Sequence, residues 1–314
     1  MINRPSKKYL VITGNGFDLA HDCKTSYKDF KEYIEDSYSD LAYYLECCSP
    51  VDLWSSFEKK LGELELSELY SNILDGIDIF RNDEDEHNYH QKADEINIAE
   101  SLLIDGLKNA LNDWILTIDI NKEKKLCLDK ILKEADIVTF NYTETIESIY
   151  ERDVIHLHGK AQKRTKWDHH DTSDPVSDLV VGHGNANASF DLDTIKATPS
   201  YEIVVEEAES NGHRDVLKEL YKNTSKQKTK LLPIFSNAEK YTKVFIIGHS
   251  LSQIDAPYFT ELSTKLDKTA QIIVSYYDNS DLFSKKLIVP ILFPNNKIKL
   301  VNIDVINRCK QALN

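Results

Sequence analysis

Three short polar groups each follow directly on an apolar run, and their side chains are of kinds that bind nucleotides or move protons. Gly14-Asn15-Gly16 follows Tyr9-Leu10-Val11-Ile12-Thr13, Asn141 follows Ile137-Val138-Thr139-Phe140, and His158-Gly159 closes Val154-Ile155-His156-Leu157. Glycines at 14 and 16 suit a turn that needs positive φ or the close approach of a ligand to backbone. The helix start that follows, Phe17-Asp18-Leu19-Ala20, would offer N–H groups and partial positive charge to a phosphate. The full G-x-G-x-x-G pattern is missing, because Leu19 stands at the third glycine, so a plain strand–turn–helix is the competing reading. A neutral imidazole takes a proton from a hydroxyl or a water near neutral pH. An Asn amide orients either one through its donor and its acceptor. His158 is therefore the candidate base and Asn141 the candidate orienting group. His156 and His158 are two apart and would share one face of a regular strand, so spacing does not choose between them. His158 is preferred because it ends the strand beside Gly159, and His156 is read as a hydrogen-bonded structural residue. A fourth polar group, Gly248-His249-Ser250, follows Lys243–Ile247, with Asp255 soon after.

Other suggestive residues carry less. Asp168, His169, His170 and Asp171 look like metal ligands, but four adjacent residues do not all face one ion, so loop polarity is the reading and no metal is predicted. His87 and His90 fall in a polar acidic stretch, residues 80–95, and are read the same way. Trp54 is read as core and Glu58 as a solvated edge. The five cysteines, Cys23, Cys47, Cys48, Cys127 and Cys309, form no C-x-x-C pair, which fits a reducing cytoplasm rather than a disulfide framework. A formal net charge of −14 argues against nonspecific nucleic-acid binding, which needs clustered Lys and Arg. No run approaches the roughly 20 apolar residues of a membrane span, and the short apolar stretch after the basic start is not a signal peptide.

These residues must be held by strands and helices in alternation. Residues 26–48 repeat aromatic and aliphatic residues at helical spacing, Asp52 is placed to cap a second helix, and residues 97–117 form a long amphipathic helix. Strands are expected at 9–12, 135–140, 153–159, 243–247, 270–276 and 297–301, with helices between. That pattern predicts an α/β, Rossmann-like, mainly parallel sheet in a single domain spanning 1–314. It carries a helical insertion at 26–134 and a polar lid or cap insertion at 160–240. In such sheets ligands bind at the carboxyl ends of the strands, so Gly14–Gly16, Asn141 and His158 are expected in one crevice.

The ordered motifs also carry a resemblance. NGFDLAH with TSYKDF, then FNYT, HLHG and GHSL with Asp255 beyond it, are similar to the AbiH-like family of bacteriophage abortive-infection proteins. The same blocks more distantly resemble sirtuin-type enzymes, which cleave the nicotinamide–ribose bond of NAD. Thr13-Gly14-Asn15-Gly16 resembles T-G-A-G, and Asp29-Phe30 resembles D-F-R with Lys31 at the Arg. Thr139-Phe140-Asn141-Tyr142-Thr143 resembles T-Q-N-I-D with Thr143 at the Asp, while His158-Gly159 and Gly248-His249-Ser250 resemble H-G and G-T-S. The paired cysteines of the sirtuin zinc module have no counterpart. The resemblance implies a sirtuin-like fold and hydrolysis of NAD, as substrate, to ADP-ribose and nicotinamide. It places Gly14, Asn15, Gly16, Phe17, Asp18, Asp29, Phe30, Thr139, Thr143, Gly248, His249, Ser250 and Asp255 at the nucleotide. In phage defence, loss of NAD would arrest the infected cell. Two alternatives stand beside it: a sensor that binds NAD or ADP-ribose without cleavage, and a metal-dependent nuclease-type toxin. A phage-derived trigger, a partner protein and a homo-oligomer are left open.

Overall fold

The structure is a computed structural model and describes residues 8–49, 52–80, 86–163, 178–184 and 202–308. Six parallel strands form one sheet: β1 (Tyr9–Thr13), β2 (Ala135–Thr139), β3 (Ile155–His156), β4 (Lys243–Ile247), β5 (Gln271–Tyr276) and β6 (Lys297–Asn302), in the order β3-β2-β1-β4-β5-β6. All the pairings are parallel, so the expected mainly parallel, Rossmann-like sheet is present. The strands read as continuous apolar runs because helices cover both faces. Leu10, Ile12, Val244 and Ile246 point into one core. Val11, Ile137, Phe245 and Ile247 point into the core on the opposite face, as period-two alternation requires.

Strand order reverses direction at β1, which has β2 on one side and β4 on the other. Thr13 is level with Thr139 and with Ile247, and Thr139 is level with His156. The four strand ends therefore sit at one height, and the residues just beyond them converge at the switch point where open α/β sheets take ligands.

The chain divides into two compact units: the sheet unit, Met1–Ser26, Ile115–Gln162 and Asn223–Asn314, and a second unit, Tyr27–Trp114 and Lys163–Lys222. The segments expected as two separate insertions thus share one unit. Its core gathers Phe30, Trp54, Phe57 and Trp114, with Phe30 stacked on Trp114 at 4.9 Å and Trp54 on Phe57 at 5.0 Å. The helix Glu202–Glu219 packs on the helix Glu86–Ser101. Residues 223–240, expected in the lid, instead supply Leu231, Ile234 and Phe235 to the core of the sheet unit. Residues 86–101, expected in part as a loop, are helical and continue through a π-helical turn, Leu102–Gly106, into the helix Leu107–Thr117. Among the described residues no helix is long and apolar enough to cross a membrane.

Candidate functional site

The first site element is the turn after β1. Gly14 is extended, with φ of −130°, and neither Gly14 nor Gly16 takes the positive φ that the sequence allowed. What the two glycines permit is a close approach of backbone. A Cβ on Gly14 would stand 2.8 Å from the His249 Cα, and one on Gly16 2.9 Å from the Gly248 Cα. Positive φ falls instead on Gly248, at +65°. The amide of Gly16 donates to the Gly248 carbonyl at 2.7 Å, that of Gly14 to Ile247, and that of Phe17 to Gly14. These three N–H groups, expected to face a phosphate, are thus committed to carbonyls. The short helix Asn15–Leu19 is pinned to the loop after β4 through them.

Asn141 enters from β2. Its backbone amide donates to the Thr139 hydroxyl at 3.1 Å, and its Nδ2 donates to the Gly14 carbonyl at 3.1 Å. The Thr13 hydroxyl donates to Thr139 at 2.9 Å, which ties the two strand ends together. The amide plane of Asn141 is therefore fixed, with Oδ1 left as its orienting group.

Asp18 sits beneath this amide. It is 1% exposed, and the Thr143 hydroxyl donates to its Oδ2 at 2.6 Å, with Thr145 donating to Thr143 at 3.0 Å. Burial raises its carboxyl to about 6, against the opposing pull of the Thr143, Thr145 and Asn141 side chains. Desolvation disfavours a charge that too few donors compensate, and Oδ1 has no hydrogen-bond partner among the described residues. Thr143, the departure from the sirtuin-like pattern, thus carries a carboxylate on its hydroxyl, supplied from position 18.

The two strand-end histidines have different surroundings. His156 makes contacts at both ring nitrogens: Nδ1 to the Asn141 carbonyl at 3.1 Å and Nε2 to Glu147 Oε1 at 2.7 Å. A carbonyl only accepts, so Nδ1 carries a proton. Burial pushes the Glu147 carboxyl up, but His156 and Lys160 outweigh it and hold it below its usual range. With both ring nitrogens engaged, His156 is committed to these contacts and serves to hold Asn141. His158 is 3% exposed and turns Nε2 toward Asp255 Oδ1 across 3.9 Å. His249 Nδ1 accepts from the Leu251 amide at 2.9 Å, which puts its proton on Nε2, 3.7 Å from Asp255 Oδ2. One buried carboxylate thus faces two imidazoles. Phe140 packs T-shaped against both rings, its centroid 5.0 Å from His158 and 4.3 Å from His249. The buried Lys285 donates to the His249 carbonyl at 2.9 Å and to Asp281 at 2.7 Å, fixing that loop from below.

A family model described as bacteriophage abortive infection AbiH matches residues 10–276, which takes in the glycine turn, Asn141, both strand-end histidines, His249 and Asp255. The chain belongs to the AbiH family. No curated protein matches it, and no solved structure does.

Of the residues expected at the site of this AbiH chain, Gly14, Asn15, Gly16, Phe17, Asp18, Thr139, Asn141, Thr143, His158, Gly248, His249, Ser250 and Asp255 all belong to the sheet unit. Phe17 is fully buried in the core, and Asn15 donates from Nδ2 to the Thr25 carbonyl at 2.7 Å. Ser250 is exposed at the loop after β4. Asp29 and Phe30 belong to the second unit, where Phe30 is aromatic core. Gly182-His183-Gly184 is also in that unit: His183 is buried, its Nε2 donates to the Leu217 carbonyl at 2.8 Å, and burial lowers its pKa. Glu58 is not a solvated edge. It pairs through both oxygens, at 3.1 Å, with the buried ammonium of Lys222. Residues 168–171 lie outside the described residues. Among those described, no group of three or more His, Cys, Asp or Glu is arranged to hold a metal. Glu147 and Lys285 were missed in the sequence because nothing local marks a lone Glu or Lys on a helix as paired.

Proposed function

We propose that this abortive-infection protein hydrolyses NAD at the nicotinamide–ribose bond, with His158 as general base and Asn141 as the orienting residue. The observation that carries the reading is the pairing of an anchored Asn amide with a carboxylate-backed imidazole at adjacent strand ends of a Rossmann-like sheet. The Asp255 carboxylate, 3.9 Å from His158 Nε2, stabilises the imidazolium that forms when His158 takes a proton. A water held by Asn141 Oδ1 attacks ribose C1′ as its proton passes to His158. The C1′–N bond breaks, and nicotinamide leaves with the electron pair as a neutral pyridine. Water plus NAD gives ADP-ribose, nicotinamide and a proton, so atoms and charge balance. The ribose carries positive charge in the transition state, and the carboxyls of Asp18 and Asp255 oppose that charge from within the site. The phosphates fall to the exposed Asn15 and Ser250 rather than to the committed amides of the glycine turn.

Binding without cleavage is a second reading, favoured by the burial of His158 and Asn141, 3% and 7% exposed. Infected cells separate the two. NAD should fall on phage challenge in cells carrying the wild-type protein and hold steady with His158→Ala. Growth arrest with an undiminished NAD pool would favour the sensor.

A further inference from the structure

The helix Asn279–Leu292 turns an apolar edge away from its own core. It buries Lys285, Val289 and Leu292, while Phe283, Leu287 and Ile291 stand 66, 58 and 76% exposed. These three recur every fourth residue, so they line one face of the helix over about 12 Å. Ser280, Ser284 and Pro290 are exposed as well. Among the exposed residues of this helix the single charged one is Lys286, in a chain that is 29% charged and carries a net −14. Isolated exposed apolar residues are ordinary. A neutral stripe of three large ones, on the order of 350 Å², is comparable to the largest apolar patch on a typical monomer, which is often functional.

We infer that this face is where two copies of the chain pair, helix against antiparallel helix, about a twofold axis through Leu287. The spacing is symmetric about that residue, with Phe283 four before it and Ile291 four after. An antiparallel copy therefore sets each Phe283 against Ile291 of the other copy and each Leu287 against its own equivalent, as an isologous contact demands. The serines at 280 and 284 let the backbones come close. Two acidic chains repel each other, so self-association needs a contact free of carboxylates, and this stripe is one. With the flanking serines, Pro290 and the Lys286 stem included, the pair buries on the order of 1,000 Å². That is the low end of specific interfaces and fits a dimer that forms in the micromolar range.

The test is sedimentation equilibrium of the full chain over on the order of 1–100 μM, where such a dimer forms and dissociates. Wild type should pass from the monomer mass to twice that mass. Leu287→Asp, which sets two carboxylates against each other on the axis, should stay monomeric with an unchanged circular dichroism spectrum and melting curve, because that side chain is already over half exposed. Leu287→Cys, in a chain whose Cys127 and Cys309 are replaced by Ser, should oxidise to a covalent dimer, while Ser250→Cys in the same background should not. Wild type that stays monomeric throughout, a dimer that survives Leu287→Asp, or wild-type monomer that instead binds lipid vesicles would each overturn the inference.

Discussion

Asp18 is a carboxyl held almost wholly out of water, 1% exposed. A carboxyl raised from 3.8 to about 6 by burial makes the folded protein less stable wherever it is ionised, by roughly 3 kcal/mol at the full shift. The sign follows from the folded value lying above the unfolded one. The penalty is complete above about pH 6 and shrinks as pH falls toward 4. Glu147 acts in the opposite sense, since its lowered pKa gives stability that is lost only at more acidic pH. Between pH 7 and 5, wild type should therefore gain stability relative to Asp18→Asn, which keeps an oxygen for Thr143 to donate to. At pH 8 the Asn variant should be the more stable by up to about 3 kcal/mol while losing function, as relieved strain at a site often does. Urea denaturation of both proteins at pH 5 and pH 8 checks this. Parallel curves for the two proteins would show that Asp18 is ordinary. None of this was legible in the sequence, where Asp18 is one carboxylate of many. Its burial follows from Thr143 and Thr145, which lie more than a hundred residues away in the chain.

The elements were more legible than their detail. Strands read as apolar runs because burial on both faces of a parallel sheet leaves no alternation to interpret, and the β1 turn was marked by its glycines. The reason for those glycines was not marked, because a close approach between the turn and Gly248 is a contact between segments far apart in sequence. Gly248→Ala should therefore be severe. Its Cβ would stand 2.1 Å from the Phe17 amide nitrogen, at a backbone φ of +65°. A loss above about 3 kcal/mol is expected, with Ser250→Ala within about 0.5 kcal/mol of wild type as an exposed control. Chemical denaturation measures both, and a mild Gly248→Ala would mean that the turn and the loop are not clamped. The doubly bonded His156 makes a kinetic prediction. His156→Ala frees the Asn141 carbonyl and should slow any cleavage by about 10- to 100-fold through misplacement, less than loss of the base itself. Glu147→Gln should follow it in the same direction, because the pair acts as one unit. The rate assay on both variants and on the double mutant decides it, and additive effects would separate them.

At the scale of the molecule, composition and alternation pointed to the sheet but not to how the insertions combine. Lys222, with 0% side-chain exposure, meets Glu58 at 3.1 Å, and this ion pair joins the segments Tyr27–Trp114 and Lys163–Lys222 into one unit. Polar composition hid that joint, since a Lys near the end of a charged helix usually reads as solvated. Glu58→Ala should cost on the order of 3–5 kcal/mol by removing the carboxylate that faces a buried ammonium, whereas Glu58→Leu with Lys222→Met should cost far less. Thermal melts of the single and double variants test it. The account stands most heavily on the chemistry at the strand ends of the sheet unit. The direct measurement is nicotinamide release from NAD by purified protein, with and without phage lysate, for wild type, His158→Ala and Asn141→Ala at matched folded fractions. Wild type should release nicotinamide, and each variant should lose about 100- to 10,000-fold of that rate. Equal release by wild type and His158→Ala, or no release by wild type with lysate present, would contradict it.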